Sequence, residues 1–378
     1  MARQRVGVIF GGRSGEHEVS LASAASVMAA LERRGHAVVP IGIARDGRFL
    51  VGGDPLRELA AQARVALPGG DADSDVKKAL ADHVERSDAA GIGRERTAAL
   101  ARTEPAGGLP PQLRDALDVV IVMLHGPYGE DGTIQGLLEL ADLPYAGAGV
   151  LASAVGMDKA MMKTVFRAHG LPIVDHLVVE RREWRERPAE IAARVATSVG
   201  FPCFVKPCNL GSSVGISKVS TAGALAGALD EAARHDRKII VEHGVQAREI
   251  EVSVLGNDAP QASLPGEIVY ECEWYDYATK YAEGQARLVV PAPISPALTA
   301  KLRELAIAAF RAIDCAGMAR VDFFLEGERI IVNEINTIPG FTATSGYARM
   351  WEATGLAYPD LIQRLVDLAL ERHAEKSR

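Results

Sequence analysis

The sequence predicts an α/β protein of two or three domains, and three observations lead to that prediction. A strand, a glycine-rich turn, a helix and a second strand follow one another within the first 44 residues. Near the carboxyl end, apolar runs at 321–325 and 330–335 flank a polar, glycine-containing turn, which predicts a β-hairpin. The 378 residues are 48% hydrophobic and 24% charged, which is typical of a globular protein with more than one core.

The first unit places its glycine-rich turn directly after a strand. Residues 6–10 form the strand, residues 11–15 the turn and residues 37–44 the next strand, with helical apolar spacing between them. Units of this kind bind ligands at the carboxyl ends of their strands. A dinucleotide-binding fold is the competing interpretation. It is disfavoured because the turn lacks the G-x-G-x-x-G pattern and no acidic residue ends the second strand.

The predicted hairpin has charged residues at positions that would be apolar in a fully buried strand. Arg320 and Asp322 share one face of the first strand, because side chains alternate with period 2, and Glu334 and Asn336 share one face of the second. Folding about Gly327 sets Asp322 beside residues 332–334. Three oxygen ligands, two of them anionic, would suit Mg²⁺. The alternative is an exposed face with solvated charges, which the apolar residues around them disfavour.

Two further predicted strands end in loops of the kind that form binding sites. The apolar run 118–124 ends in HGPYGEDG at 125–132, whose histidine is either structural or part of a site. The run 201–206 ends at Lys206 and leads into a Gly/Ser turn at 209–213. Backbone N–H groups, hydroxyls and an ammonium in such a turn suit phosphates. The turn lacks the P-loop pattern, however, and Gly-Ser hairpins are common.

The rest of the chain supplies scaffold elements and one long loop. Residues 157–169 predict a helix with Lys159 near its start. Residues 271–289 are irregular but rich in tyrosine, which favours a lid over a disordered segment. Residues 52–111 have weak periodicity and predict a surface insertion. The remaining predicted elements are helices at 221–234, 296–313 and 359–373, strands at 238–242 and 249–255, and a hinge at 242–245.

Composition excludes several classes of protein. The net charge of −7 disfavours a nucleic-acid surface, which needs a basic patch. No apolar run approaches the roughly 20 residues of a membrane span, and the amino terminus does not resemble a signal peptide. The four cysteines have no CxxC spacing, so neither zinc nor a disulfide framework is indicated. Free thiols and a cytoplasmic location are the plain expectation.

Together these features favour a nucleotide triphosphate site built from strands. Lys159, Lys206 and Lys280 could balance phosphate charge, and the hairpin could hold the Mg²⁺ that bridges phosphate oxygens. The chain then resembles the D-alanine–D-alanine ligases of the ATP-grasp superfamily, in their longer form. The motifs that carry this resemblance are, in order, GGRSGEHEVS at 11–20, HGPYGEDG at 125–132, MDK at 157–159, VKP at 205–207 with GSSVG at 211–215, YATKY at 277–281 and NEINTIPG at 333–340.

The resemblance covers nearly all of the chain and implies a three-domain ATP-grasp ligase. An N-terminal parallel-sheet α/β substrate domain would span 1–156, including the insertion at 52–111. A central ATP-grasp domain at 157–245 and a C-terminal catalytic ATP-grasp domain at 246–378, with the lid at 271–289, would be α+β domains that sandwich ATP. The resemblance also implies a homodimer and no nucleic-acid or membrane partner.

The implied reaction joins two D-alanines to D-alanyl-D-alanine at the cost of ATP, for peptidoglycan precursor synthesis. It proceeds through an acyl phosphate. The resemblance implies two Mg²⁺ ions, for which Mn²⁺ could substitute, and leaves activation by a monovalent cation open. The residues it assigns to catalysis are Glu16, Ser212, Tyr281, Arg320 and Gly340.

The resemblance also implies binding residues. The substrate-binding positions are His125, Ser345 and Gly346. The nucleotide-binding positions are Lys159, Lys206, Ser212, Ser213, Glu242, His243, Val245, Glu249 and Lys280. The metal ligands are Asp322, Glu334 and Asn336. His243 replaces a lysine found in many members, which puts its side-chain contact to adenine in doubt.

Three alternatives stay open at the sequence level. Tyr281 favours the dipeptide, but relatives that use D-lactate or D-serine as second substrate share most of the motifs. Another ATP-grasp carboxylate–amine ligase is disfavoured by Glu16 and Ser345. A nucleotide-binding regulator without catalysis is disfavoured by Arg320, Lys280 and the metal-ligand set.

Overall fold

A computed structural model describes residues 3–66, 101–102, 113, 115–270 and 286–376. Most of the predicted insertion and the predicted lid, with Lys280 and Tyr281, lie outside the described residues. Within the described residues, no helix has the length and apolar character needed to cross a lipid bilayer.

The described strands and helices alternate along much of the chain. The strands are β1 (Arg5–Gly11), β2 (Ala37–Ile43), β3 (Phe49–Val51), β4 (Ala101–Arg102), β5 (Val119–Met123), β6 (Tyr145–Ala146), β7 (His176–Glu180), β8 (Cys203–Pro207), β9 (Ser217–Val219), β10 (Lys238–His243), β11 (Arg248–Gly256), β12 (Gln261–Ala262), β13 (Gly266–Tyr270), β14 (Ala286–Val289), β15 (Gly317–Glu326) and β16 (Arg329–Asn336). The helices are α1 (His17–Arg33), α2 (Pro55–Ala66), α3 (Thr133–Leu140), α4 (Val150–Met157), α5 (Lys159–Ala168), α6 (Arg181–Glu186), α7 (Pro188–Ser198), α8 (Leu225–His235), α9 (Pro296–Ala312), α10 (Gly346–Ala353) and α11 (Tyr358–Lys376).

The N-terminal sheet has the strand order β4-β3-β2-β1-β5-β6, with β2, β1, β5 and β6 parallel. Its central strand is buried from Val6 to Phe10, and α1 covers it with an apolar face. The predicted strand–turn–helix–strand unit is therefore confirmed. Because β1 and β5 are parallel neighbours, the turn after β1 and the HGPYGEDG loop after β5 meet at one edge of the sheet.

One part of the predicted surface insertion is wrong. Residues 55–66 form α2, which packs against α1 and β2 and buries Leu56 and Leu59 in the N-terminal core. Leu56, Leu59 and Ala63 are buried at the spacing of a helix, so this part of the segment does have a helical pattern.

The central sheet is antiparallel, in the order β7-β10-β8-β9. It is preceded by α4 and α5, and α5 confirms the helix predicted at 157–169, with its start two residues later. The chain leaves the helical conformation at Asp158, which caps α5 by accepting hydrogen bonds from the N–H groups of Ala160 and Met161 at 3.1 Å each. An aspartate N-cap therefore sets the start of α5.

The C-terminal sheet is antiparallel, with the strand order β14-β13-β11-β15-β16. The predicted hairpin is confirmed as β15 and β16. Val321, Phe323 and Leu325 are buried on the side covered by α9, whereas Arg320, Asp322 and Phe324 alternate with them and are half-buried. The polar face therefore lies opposite α9.

Candidate active site

The polar face of the hairpin depends on one irregularity in its register. Asp322 lies opposite Glu334, but the next residue, Phe323, lies opposite Val332, so Asn333 is an extra residue in β16. A β-bulge of this kind changes which face the following side chains occupy. Without it, Glu334 would point toward the α9 side. The bulge therefore places Glu334 beside Asp322.

Arg320 is the centre of charge on this face. Its guanidinium donates two hydrogen bonds to Asp322, each 2.7 Å, and its Nε lies 3.2 Å from Glu251 Oε1. Burial would lower the pKa of Arg320, but the two carboxylates raise it well above its usual range. Arg320 is therefore a fixed cation, oriented from two sides.

Sequence reasoning did not identify Glu251 as a site residue. It lies on β11 directly opposite Asp322, on the same face as Glu249. The signal that could have found it is the alternation Glu-Ile-Glu-Val at 249–252, in which both charged residues share one face of a strand.

The three predicted metal ligands lie on neighbouring positions of this face, and each has a partner in the protein. Asp322 binds Arg320, Glu334 Oε2 lies 3.6 Å from Lys159 Nζ, and Asn336 Oδ1 accepts a hydrogen bond of 3.0 Å from the N–H of Ile338. Two carboxylates and an amide oxygen match the donor set of a hard divalent cation. The residues present therefore fit a divalent cation that also binds phosphate oxygens.

The carboxylates are not arranged as a cation cage on their own. Among the residues that the structure describes, no three His, Cys, Asp or Glu side chains are grouped to hold a metal ion. A set completed by an amide, water and substrate phosphates is what Mg²⁺ commonly uses.

The Gly/Ser turn of the central domain reaches the N-terminal domain. Ser212 donates a hydrogen bond from its hydroxyl to Glu16 Oε1. Ser212 and Ser213 have φ angles of +51° and +58°, an unfavourable conformation for non-glycine residues. Strained residues of this kind cluster at functional sites, so the geometry supports a role for this turn in binding.

His125 is buried and both of its ring nitrogens are engaged. Nδ1 donates to the carbonyl of Ile338 at 2.9 Å, and Nε2 lies 3.1 Å from the hydroxyl of Ser23. Ser23 Oγ in turn accepts a hydrogen bond from the N–H of Phe341 at 3.4 Å. Burial lowers the pKa of His125, so the ring is neutral at pH 7. It therefore fixes the segment 338–341, which includes Gly340, to the N-terminal domain.

Glu130 is a second buried group in the same loop that sequence reasoning did not single out. Its Oε2 accepts a hydrogen bond of 2.9 Å from the N–H of Gly126. Burial raises the pKa of Glu130 to about 8, and the nearby charge of Glu16 adds to the effect. The loop 125–132 is thus held by a carboxyl group that is largely protonated at neutral pH.

The raised pKa of Glu130 predicts a pH dependence of stability. The unfolded chain loses this proton near pH 4.5, whereas the folded protein keeps it to about pH 8, so stability falls as pH rises through that window. Glu130→Gln removes the effect. We expect its thermal-unfolding midpoint relative to wild type to increase by at least about 2 °C between pH 5 and pH 9.

The control for this experiment is Glu190→Gln, at an exposed position on α7. Its midpoint relative to wild type should not change with pH. A difference between Glu130→Gln and wild type that is constant across this pH range would show that Glu130 titrates normally.

The two described lysines among the predicted phosphate-binding residues have different partners. Lys206 Nζ donates to Glu242 Oε2 at 2.7 Å, and Lys159 Nζ donates to the carbonyl of Leu210 at 2.8 Å. Burial alone would raise the pKa of Glu242, but Lys163 and Lys206 lower it to about 2. The other oxygen of Glu242 contacts Lys163 as an ion pair at 3.2 Å and not as a well-directed hydrogen bond. Glu242 is thus an ionised, buried carboxylate held between two lysines beside the predicted hinge.

The predicted hinge lies at the end of β10, and its residues differ in what they offer. His243 donates its backbone N–H to Asp175 at 2.9 Å, and its exposed ring contacts the carbonyl of Val199. A nucleotide contact through that N–H would have to break the first bond. Val245 is half-buried in the connection to β11.

Glu249 lies on β11, on the polar face of the sheet. Its Oε2 accepts a hydrogen bond of 2.6 Å from the hydroxyl of Tyr270. Burial raises the pKa of this carboxyl group. An acceptor held in this way on the polar face of the sheet is suited to the ribose hydroxyls of a nucleotide.

The segment after β16 brings the predicted oxyanion donor and second-substrate residues together. A Cβ on Gly340 would lie 3.5 Å from Ser345 Oγ, and one on Gly346 would lie 3.1 Å from Glu251 Oε2. Ser345 precedes α10, and its hydroxyl accepts a hydrogen bond of 2.9 Å from the N–H of Thr342. Gly346 is the first residue of α10, and backbone N–H groups at a helix N-terminus stabilise a carboxylate.

Two family models cover most of the chain. The model described as D-ala D-ala ligase N-terminus matches residues 5–148, and that described as D-ala D-ala ligase C-terminus matches residues 165–367. The chain is 48% identical over 381 residues to the D-alanine--D-alanine ligase of Heliobacterium modesticaldum, covering 100% of this chain and 98% of that protein. It is 48% identical to the corresponding ligase of Paenarthrobacter aurescens, covering 98% and 96% of the two chains.

Solved structures give the same fold. The D-alanine-D-alanine ligase from Coxiella burnetii is 35% identical with a TM-score of 0.77, covering 100% of this chain and 97% of that one. The VanG D-Ala:D-Ser ligase from Enterococcus faecalis is 30% identical with a TM-score of 0.77, covering 97% and 100%.

Proposed function

This chain belongs to the D-alanine–D-alanine ligase family, and from that premise we propose how its residues carry out the reaction. It uses ATP to join two D-alanines for peptidoglycan synthesis. In the proposed sequence, the carboxylate of the first D-alanine attacks the γ-phosphorus and ADP leaves. The amine of the second D-alanine then attacks the acyl carbon, and inorganic phosphate leaves. The observation that carries the assignment is the polar face on which Arg320 lies beside the metal-ligand set.

Glu16 binds the ammonium group of the first D-alanine. Its hydrogen bond from Ser212 supports this role, since the contact ties the first substrate's subsite to the nucleotide domain. Tyr281 would complete this network from the lid. His125 acts on the subsite indirectly, because both of its ring nitrogens hold neighbouring segments.

The nucleotide lies between the central and C-terminal sheets. Lys159 and Lys206 hold the α- and β-phosphates with Ser213, and Lys280 of the lid reaches the γ-phosphate. The adenine contacts Glu242, His243 and Val245, and Glu249 contacts the ribose. Charge supports this arrangement, since Lys206 faces the buried carboxylate of Glu242 and Lys159 lies near the half-buried carboxylate of Glu334, and both could exchange these partners for phosphate. A closed lid would protect the acyl phosphate from water.

Asp322, Glu334 and Asn336 hold the divalent cation, which supplies charge compensation for the phosphates when it is bound. We propose two Mg²⁺ ions, with Mn²⁺ as a substitute and a monovalent cation as a further activator.

Arg320 and the N–H of Gly340 donate to the oxyanion that develops at the tetrahedral centre. Ser345 and Gly346 receive the carboxylate of the second D-alanine. The nearness of Gly340 to Ser345 and of Gly346 to Glu251 supports placing both functions in one subsite.

The wider organisation follows the same proposal. We propose domains at 1–156, 157–245 and 246–378, supported by the three separate sheets of the described residues. We also propose a cytoplasmic homodimer, without a nucleic-acid or membrane partner. An analytical ultracentrifugation run at micromolar concentration would test the dimer.

The reaction itself is tested with purified enzyme, ATP, Mg²⁺ and one amino acid at a time. We expect ADP, phosphate and dipeptide in equal amounts with D-alanine and no turnover with L-alanine. The similarity to a D-Ala:D-Ser ligase makes a different second substrate the second candidate. Mixtures of D-alanine with D-serine or D-lactate at neutral pH decide between them, and a mixed product in excess over the dipeptide would contradict the proposal.

A further inference from the structure

Lys163 is a buried cation that the reaction scheme above does not use. Its side chain is 1% exposed, and it lies on α5 one turn after Lys159, on the same face of the helix. A buried lysine carries a large desolvation cost, so it needs partners in the protein. The partners of Lys163 belong to two different domains.

The first partner is the carbonyl of the bulge residue in β16. Lys163 Nζ donates a hydrogen bond of 3.0 Å to the oxygen of Asn333, which is the extra residue in the β15–β16 register. A bulge leaves its extra residue outside the regular ladder, so its carbonyl requires another donor. Lys163 supplies that donor at the residue immediately before Glu334.

The second partner is Glu242, at the end of β10 in the central sheet. Lys163 Nζ lies 3.2 Å from one oxygen of Glu242, and Lys206 Nζ lies 2.7 Å from the other. If Lys206 turns to the phosphates of ATP, Glu242 would lose one of its two counter-charges. Lys163 would then hold this buried carboxylate in place, because its own contacts are to Asn333 and Glu242.

We propose that Lys163 is a positioning residue that ties Glu242 of the nucleotide hinge to the bulge that orients the metal ligand Glu334. The proposal rests on the proposed assignment of the nucleotide and metal sites. It gives α5 two functions on one face: Lys159 faces the phosphates, and Lys163 fixes the spacing between the adenine end and the cation end of the nucleotide. The cation and the nucleotide are then expected to bind cooperatively through Lys163.

The test measures cation binding apart from turnover. Free Mn²⁺ is followed by electron paramagnetic resonance in the complete enzyme with ADP, and KM values for ATP and D-alanine are measured in parallel. For Lys163→Met we expect the half-saturating Mn²⁺ concentration and the KM for ATP each to rise at least about tenfold, with KM for D-alanine changed less than about twofold. Lys301→Met, at an exposed position on α9, is the matched control and should equal wild type.

A second variant is included for the case in which Lys163→Met does not fold because Glu242 has lost a counter-charge. Lys163→Met/Glu242→Gln removes both charges but still lacks the donor to Asn333, so its half-saturating Mn²⁺ concentration should remain at least about tenfold raised. Mn²⁺ binding equal to that of wild type in either folded variant would overturn the proposal. This includes a variant whose thermal-unfolding midpoint falls while its Mn²⁺ binding is unchanged. Failure of the proposed function would be distinct, because wild type itself would then release no D-alanine-dependent phosphate.

Discussion

Arg320→Ala is expected to lower kcat for D-alanyl-D-alanine formation by about 10²–10³-fold, the loss typical when one donor to a developing oxyanion is removed. Arg320 is oriented by a two-point contact to Asp322 and a further contact to Glu251, so its position is set before substrate binds. Removing it also leaves two carboxylates facing each other across β11 and β15. A lower thermal-unfolding midpoint should therefore accompany the loss of rate.

Two further variants separate charge from geometry. Arg320→Lys keeps the cation but lacks the planar fork that binds Asp322 at two points, so we expect it to recover only part of the rate. Arg329→Ala removes an exposed arginine from the turn of the same hairpin and should leave kcat unchanged. Single-turnover phosphate release measures the chemical step. A kcat for Arg320→Ala within about threefold of wild type would exclude the oxyanion role, since it would correspond to well under 1 kcal/mol.

Glu334→Gln is expected to reduce kcat/KM for ATP by at least about 10³-fold, because a bound divalent cation supplies several kcal/mol of charge stabilisation. The substitution keeps the shape of the side chain and removes the anionic oxygens. It also removes the attraction to Lys159, 3.6 Å away, which is too long and too weak to dominate the fold. The thermal-unfolding midpoint should stay close to that of wild type.

Steady-state kinetics over a range of Mg²⁺ concentrations would measure this loss. Glu326→Gln, at the exposed end of β15, is the matched control and should behave as wild type. Wild-type turnover by Glu334→Gln at low millimolar Mg²⁺ would mean that Glu334 is not a metal ligand.

The elements that the sequence predicts well are those with strong local patterns. The unit from β1 to β2 and the hairpin of β15 and β16 combine buried apolar runs with glycine-containing turns, and both are confirmed. The helix predicted at 157–169 is confirmed as α5, and the signal for its start is also local. Asp158 precedes a lysine-rich amphipathic helix, which is a normal N-cap position.

The details that place the site side chains could not be obtained from periodicity. The face occupied by Glu334 depends on the extra residue Asn333, and a one-residue shift of register moves a side chain to the other face of a sheet. Nothing in the run 330–335 marks which residue bulges. The reason becomes visible only in three dimensions, where Lys163 from a distant helix satisfies the carbonyl of that residue.

Contacts between residues that are distant in the sequence also could not be predicted from local patterns. His125 was expected near the first substrate, and its ring bonds to Ile338, 213 residues away. Glu251 belongs to the site because it contacts Arg320 on the neighbouring strand. The family resemblance assigned residues one by one, but it did not indicate which of them are held by others. The burial and the hydrogen-bond partners of each side chain supply that distinction.

The central claim is that one face of the β15–β16 hairpin holds the cation beside the reacting groups. A crystal structure of the enzyme with Mn²⁺, ADP and a phosphinate analogue of the dipeptide tests it most directly, because manganese is located by its anomalous scattering. We predict an anomalous peak within about 2.5 Å of oxygens of Asp322 and Glu334, with Arg320 contacting the phosphinate. A peak elsewhere, with Asp322 still bound at two points to Arg320, would contradict the account.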